Sequence, residues 1–200
     1  MDAPVTSQDS RTAKQLLRQR VTASLRALPS SERARHSSAI RQHLVDSGLL
    51  ADGMNIFAFA ALPSEPDLVS LTRSTDARLY FPKTAAENTL EFFETPSESN
   101  LCELNNKIRE PSSTHGTAAD PSMVDLVLVP GLAFDPKTGA RLGRGGGYYD
   151  RFLNSLAPES RLIGICFSIQ LHRNIPVEPH DQAVPEILTE SGLIQCQDLS

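Results

Sequence analysis

The chain has few cysteines, no long apolar run and no excess of positive charge, and each shortage closes off a class of function. Cys102, Cys166 and Cys196 are odd in number, far apart and without a C-x-x-C pair, so neither a disulfide framework nor a zinc knuckle is indicated. A reducing cytoplasm is the expected location. No apolar stretch approaches the ~20 residues needed to span a bilayer, and the polar start, with Asp2 and Asp9, resembles neither a signal nor a transit peptide. No membrane role is expected. A net charge of −5 argues against a nucleic-acid partner, so any anion site must be local. His36, His43, His115 and His172 show no metal-ligand spacing.

What is present is an ordinary globular composition, 40% hydrophobic and 22% charged over 200 residues, which suits one domain spanning 1–200 and acting as a monomer. From Ser10, Leu17, Val21, Leu25 and Leu28 recur at helical spacing, and Arg11, Lys14 and Arg18 fall together on another face. Pro29 ends this helix, Ser30 is placed to cap a second with Glu32 in its first turn, and Gly48 stands where a C-terminal cap belongs. The continuous apolar runs 54–61, 124–129 and 161–167 predict strands buried on both faces. Two further strands are predicted at 78–81, closed by Pro82, and at 89–93, with a short helix at 66–74. The polar stretch 96–123 reads as a long functional surface loop, and 148–156 as a helix. Strand, loop, helix and strand from 124 to 167 form a βαβ unit.

Six of the eleven glycines, at 131, 139, 143, 145, 146 and 147, follow the strand 124–129. The run from Gly143 through Arg144, Gly145 and Gly146 to Gly147 is suited to folding backbone N–H groups into an anion nest, whose natural occupant is a polyphosphate. Arg141, Arg144 and Lys137 flank it with positive charge. Asp150 would be repelled by phosphates unless a hard cation bridged them, which points to Mg²⁺ carried with ATP. Neither G-x-x-x-x-G-K-[ST] nor G-x-G-x-x-G is matched, because Tyr148 stands where the second pattern requires its last glycine. Taken singly, Glu65 is a loop carboxylate, His180-Asp181 a turn pair, and the Arg11/Lys14/Arg18 strip a solvated face.

The stretch Val129-Pro130-Gly131-Leu132-Ala133-Phe134-Asp135, then Gly139, Arg141-Leu142-Gly143 and Gly145-Gly146-Gly147-Tyr148-Tyr149-Asp150, resembles the signature of the 5-formyltetrahydrofolate cyclo-ligases. Lys14-x-x-x-Arg18, Glu65, Glu110-Pro111, His180-Asp181 and Thr189-Glu190 match in the same order. The resemblance implies a three-layer α/β/α sandwich around a mostly parallel sheet. It also implies Mg²⁺- and ATP-dependent closure of 5-formyltetrahydrofolate to 5,10-methenyltetrahydrofolate through a phosphorylated formyl group. Carried over by position, Lys14, Arg18, the segment Arg141, Leu142, Gly143, Arg144, Gly145, Gly146 and Gly147, and Tyr149 bind ATP. Arg141 and Glu65 are catalytic, Glu65, Tyr148 and Tyr149 contact the folate, and Asp150 with Asp181 holds the metal. Relatives place an aromatic residue and a glycine where this chain has Asn106-Lys107 before Ile108-Arg109, and Asp where it has Pro185. A non-catalytic folate-binding or regulatory protein of the same fold, and a phosphosugar isomerase or acyl transferase of similar architecture, are the competing readings.

Overall fold

A computed structural model describes residues 7–104, 108–112 and 116–197, with side chains from Ser10 onward. The chain opens with helices α1 (Ser7–Ala27) and α2 (Ser30–Asp46). Pro29, not Ser30, holds the capping position between them. Its ring fixes φ at −58°, its carbonyl accepts the first bond of α2 from Arg33 N–H, and Ser30 becomes the first helical residue without a side-chain cap. At the far end Gly48 takes a left-handed φ of 70° just past α2, the conformation a helix stop requires.

Strands β1 (Asn55–Phe57), β2 (Arg78–Thr84), β3 (Leu90–Glu94), β6 (Leu126–Pro130), β9 (Arg161–Ile165), β10 (Glu186–Thr189) and β11 (Gly192–Gln195) make one sheet, in the order β11-β10-β9-β6-β1-β2-β3. The five inner strands are parallel and the two edge strands antiparallel. Alternate residues serve opposite faces, which is why the inner strands read as unbroken apolar runs. On one face Ile56, Leu79, Leu126, Leu128 and Ile163 join the core of Val21 and Leu25 from α1 and Ile40 and Leu44 from α2. On the other, Phe57, Tyr80, Val127 and Val129 join Phe152 and Leu153 of α3 (Tyr148–Leu153). Each fully buried side chain of this size contributes about 1.5–3 kcal/mol, so both layers are needed to cover the sheet. The result is the expected α/β/α sandwich.

Several boundaries differ from the sequence reading. The first buried run leaves the sheet early: Ala58 N–H still bonds the Tyr80 carbonyl at 2.8 Å, but the chain then turns away towards Pro63. Pro82 does not end β2. Bonds from Thr95 N–H to the Leu79 carbonyl and from Ala85 N–H to the Thr89 carbonyl put Pro82 and Phe92 at a pair that exchanges no ladder bonds, beyond the end of β1, so the missing N–H costs nothing. The long loop carries a small hairpin of β4 (Leu101–Glu103) and β5 (Arg109–Pro111), fastened to β2 by Thr84 N–H donating to Glu110 Oε1 at 3.1 Å. The helix predicted at 148–156 stops at Leu153. Lys137 lies in the turn joining β7 (Ala133–Phe134) to β8 (Arg141–Leu142), where its carbonyl accepts from Gln197 N–H, away from the glycine run.

The strand order fixes where a ligand belongs. From β1 the chain moves one way to β2, then returns to place β6, β9 and β10 on the other side. The carboxyl ends of β1 and β6 thus flank the point where the winding reverses, and crevices of open α/β sheets form there.

Candidate active site

Glu65 sits in the turn that follows β1. Its own N–H bonds the Leu62 carbonyl at 2.9 Å and its Oε2 accepts from Leu62 N–H at 3.0 Å, so the side chain is folded onto its own turn. Oε1 accepts from Arg144 Nε and Nη2 at 3.0 and 2.8 Å, which leaves the Glu65 side chain 8% exposed. A carboxylate that reads alone as a loop group is therefore bound to the glycine run. That run crosses from β8 to α3. Gly147 has φ of 68° at the start of α3, which a side chain would strain, and a Cβ on Gly146 would lie 2.7 Å from the Tyr148 ring. Among the described residues, no protein acceptor takes the backbone N–H groups of Arg144, Gly145 or Gly146, leaving them open to an anion.

Arg141 and Asp150 meet beneath the loop. Arg141 Nη2 donates to Asp150 Oδ1 at 2.5 Å, Nη1 to the Pro130 carbonyl at 3.2 Å, and its guanidinium lies 5.9 Å from the centre of the Tyr149 ring. Leu142, the other residue of β8, is fully buried and serves the core. Two polar atoms here are buried without a partner, Arg141 Nε and Tyr149 Oη. Burial, reinforced by the nearby Glu65 charge and opposed by Arg141, raises the Tyr149 hydroxyl well above its ordinary pKa, so it stays a donor at neutral pH. Buried polar groups left unpaired cost about 1–3 kcal/mol each, and two at one cavity wall point to a ligand that satisfies them.

The basic strip of α1 divides. Arg18 Nε donates to the Gly143 carbonyl at 2.9 Å, and its guanidinium lies 3.8 Å from where a Gly145 Cβ would stand, so Arg18 braces the glycine run from outside. Lys14 is buried, not solvated, and its Nζ bonds Asp181 Oδ2 at 2.5 Å and Glu178 Oε2 at 2.8 Å. The bond from Lys14 holds the Glu178 carboxyl below its ordinary range. Arg11 is left at the rim, 3.6 Å from Glu178. Asp150 and Asp181 approach through Gln182, whose N–H reaches Asp150 Oδ1 at 3.5 Å. Side-chain atoms of Glu178, His180 and Asp181 lie within 4.8 Å of one another. Their carboxylate oxygens suit a hard divalent cation, and that grouping takes in Asp181 but not Asp150.

These residues surround one cavity of about 280 Å³ at the carboxyl ends of β1 and β6, walled by Glu65, Arg141, Gly143, Arg144, Gly146, Gly147, Tyr148, Tyr149 and Asp150. Lys14, Arg18 and Asp181 stand outside its wall. Phe59, Leu62, Pro82 and Leu90 give it an apolar side suited to a flat ring system. Ile108 and Arg109 also line it, whereas Asn106 and Lys107 lie outside the described residues. Pro185 is not part of this wall, and its carbonyl accepts from Cys196 N–H.

Sequence reasoning misses Glu178, Asn88 and Arg151. Asn88 Oδ1 accepts from the Tyr148 hydroxyl at 3.1 Å, and Arg151 bridges the Asn88 and Gly146 carbonyls at 2.9 and 2.7 Å. An asparagine in the turn between two strands, here at φ of 57°, is a signal for Asn88 alone; Glu178 and Arg151 carry none.

The sequence profile of the 5-formyltetrahydrofolate cyclo-ligase family matches residues 10–190. A 5-formyltetrahydrofolate cyclo-ligase of Mycolicibacterium smegmatis is 32% identical over 186 residues, covering 88% of this chain and 93% of that protein. One of Mus musculus is 29% identical, covering 90% and 95%. The solved structure of Aquifex aeolicus 5,10-methenyltetrahydrofolate synthetase superimposes with a TM-score of 0.79 at 28% identity, over 92% of this chain and 93% of that one.

Proposed function

The chain belongs to the 5-formyltetrahydrofolate cyclo-ligase family, a family of enzymes, and we propose that it converts 5-formyltetrahydrofolate to 5,10-methenyltetrahydrofolate with ATP and Mg²⁺ as ADP and phosphate are released. One observation carries this reading. A single cavity joins an apolar wall for a ring system to a glycine run with open N–H groups, and Arg141 Nε and Tyr149 Oη are buried and unpartnered at the junction. Both substrates would then meet where the strand order reverses.

The formyl oxygen attacks the γ-phosphorus and ADP leaves; N10 then attacks the activated formyl carbon, phosphate departs, and the N10 proton is lost as the ring closes. Such a sequence needs positioning and charge neutralisation more than a strong base. Arg141 offers its unpaired Nε–H to a phosphoryl oxygen, while the Arg144–Glu65 pair spans the two substrate regions. Tyr148, held by Asn88, and Tyr149 line the ring pocket. Asp181 with Glu178 would hold the cation, which when bound neutralises phosphate charge, and Asp150 would join them only by leaving Arg141. Lys14, held by Glu178 and Asp181, and Arg18, held by the Gly143 carbonyl, stand outside the cavity wall and would have to leave those partners to bind the remote phosphates.

The apolar wall and the open N–H groups of the cavity support small-molecule substrates, and among the described residues no helix is long and apolar enough to cross a membrane. The deciding measurement is the appearance of the methenyl chromophore from 5-formyltetrahydrofolate. It is expected only with ATP and Mg²⁺ together. Folate binding without turnover would leave a non-catalytic protein, and turnover without ATP a different chemistry.

A further inference from the structure

Two parts of the cavity wall are fastened to each other by residues that are not in it. Pro82, Thr84 and Leu90 come from the β2–β3 hairpin, and Gly146, Gly147 and Tyr148 from the glycine run and the start of α3. Arg151 Nη2 donates to the Gly146 carbonyl at 2.7 Å and to the Asn88 carbonyl, in the hairpin turn, at 2.9 Å, and its Nε reaches the Asn88 carbonyl at 3.2 Å. The same guanidinium lies 5.8 Å from the centre of the Tyr148 ring, whose hydroxyl donates to Asn88 Oδ1 at 3.1 Å. A Cβ on Gly147 would stand 2.7 Å from Arg151 Nη1, so glycine there makes room for the arginine. The turn itself has no use for the Asn88 amide. It is closed by backbone bonds, Ala85 N–H to the Thr89 carbonyl at 3.0 Å and Thr89 N–H to the Ala86 carbonyl at 3.1 Å, and the left-handed φ of 57° at Asn88 suits glycine better than asparagine.

We infer that Asn88 and Arg151 are positioning residues for the reaction proposed above, and the inference rests on that reading. Asn88 sets the Tyr148 ring against the folate, and Arg151 holds the hairpin side of the ring pocket to the run that receives the triphosphate. Neither residue lines the cavity, so each acts through a neighbour. The two therefore govern different things. The Asn88 side chain bonds Tyr148, and its loss is felt at the folate alone. Gly146 carries one of the backbone N–H groups left open to an anion, so the loss of Arg151 is felt by both substrates. All of these bonds are exposed, so they bear on the placement of the substrates more than on the stability of the fold.

The test is a set of variants assayed against both substrates. Asn88→Gly keeps the turn and its carbonyl and removes only the acceptor of Tyr148. Its kcat/KM for 5-formyltetrahydrofolate should fall roughly three- to tenfold, the effect of one neutral hydrogen bond, while its KM for ATP with Mg²⁺ stays within about twofold of wild type. Asn88→Asp, which restores an acceptor and tolerates the same turn, should recover most of the loss. In a Tyr148→Phe background Asn88→Gly should have no further effect, because the bond is already gone. Arg151→Met should lower the folate kcat/KM and also raise the KM for ATP several-fold. Equal losses for both substrates in Asn88→Gly, full additivity with Tyr148→Phe, or an unchanged KM for ATP in Arg151→Met would overturn the inference. Should Asn88→Gly fail to fold, Tyr148→Phe alone decides, since it removes the same bond from the other end and must reproduce the folate-only loss. If wild type turns over no folate, the reaction reading fails separately. Calorimetric titration of wild type and Asn88→Gly with 5-formyltetrahydrofolate then judges the positioning role: weaker binding by the variant supports it, and equal binding or none overturns it.

Discussion

Replacing the Asp150 carboxylate with an amide would leave the Arg141 charge, on a side chain only 3% exposed, without a counter-charge. Asp150→Asn is therefore expected to cost stability as well as turnover: about 3 kcal/mol for a broken buried pair, or roughly 10 °C in Tm for a chain of this size. Thermal unfolding beside steady-state kinetics would check it, and an unchanged Tm would mean that the pair is not formed in solution. Glu65 is tested by the same change of carboxylate to amide. Glu65→Gln keeps an oxygen for Arg144 but removes the charge, so the rate with the folate should fall about a hundredfold, a typical loss for one positioned group. Because Arg144 belongs to the glycine run, the KM for ATP should also rise, by several-fold. Unchanged kinetics for both substrates would return Glu65 to the status of a loop carboxylate.

Elements are legible where one physical cause dominates. Strands buried on both faces announce themselves as apolar runs, and β6 and β9 can be read within two residues for that reason. The glycine run is visible because a backbone packed against Tyr148 tolerates no side chain. Pairings set only by tertiary packing are not visible. Lys14 and Glu178 stand 164 positions apart, and nothing local distinguishes a lysine buried against carboxylates from one on a solvated face. The family resemblance, not spacing, moves Lys14 to the site, and the tie of Glu65 to Arg144 has no signal at all.

Edge pairing gives the element scale its own prediction. Arg161 of β9 donates to both carboxylate oxygens of Glu186 on β10, at 2.6 and 2.8 Å, and Gln195 of β11 bonds the same group. The Arg161 bond, partly opposed by burial, lowers the Glu186 carboxyl below its ordinary 4.5. Between the lowered folded value and the unfolded one the unfolded chain binds more protons, so stability rises with pH there. The contribution is complete above the unfolded pKa and is lost as pH falls through the folded one. Arg161 is 44% exposed, so the pair is worth at most about 1 kcal/mol. Glu186→Gln should lower Tm by roughly 2–4 °C at neutral pH, and the gap should close as pH falls through the lowered folded value. A gap that persisted in acid would assign the effect to packing.

At the scale of the whole molecule, hydrogen bonds tie together α1, the turn after β1, the glycine run, α3 and the turn at 178–181, all of which must hold together if the proposed triphosphate is to bind there. A ligand that binds only this assembled state stabilises the entire fold. At a hundred times its Kd the gain is about 2.7 kcal/mol, which is roughly 5–10 °C in Tm here. Magnesium with ATP should give a shift of that size. ATP in excess chelator should give less than half of it, since triphosphate beside Asp150 and the Glu178–Asp181 pair is repelled when no cation bridges them. Arg141→Ala should abolish most of the nucleotide shift, after correction for its own lowered Tm, while the shift given by 5-formyltetrahydrofolate is largely kept. Equal shifts with and without chelator would remove the metal from the reading. No shift with ATP under either condition would remove the nucleotide from the glycine run, and an equal loss of both shifts in Arg141→Ala would make Arg141 a structural support common to both substrates.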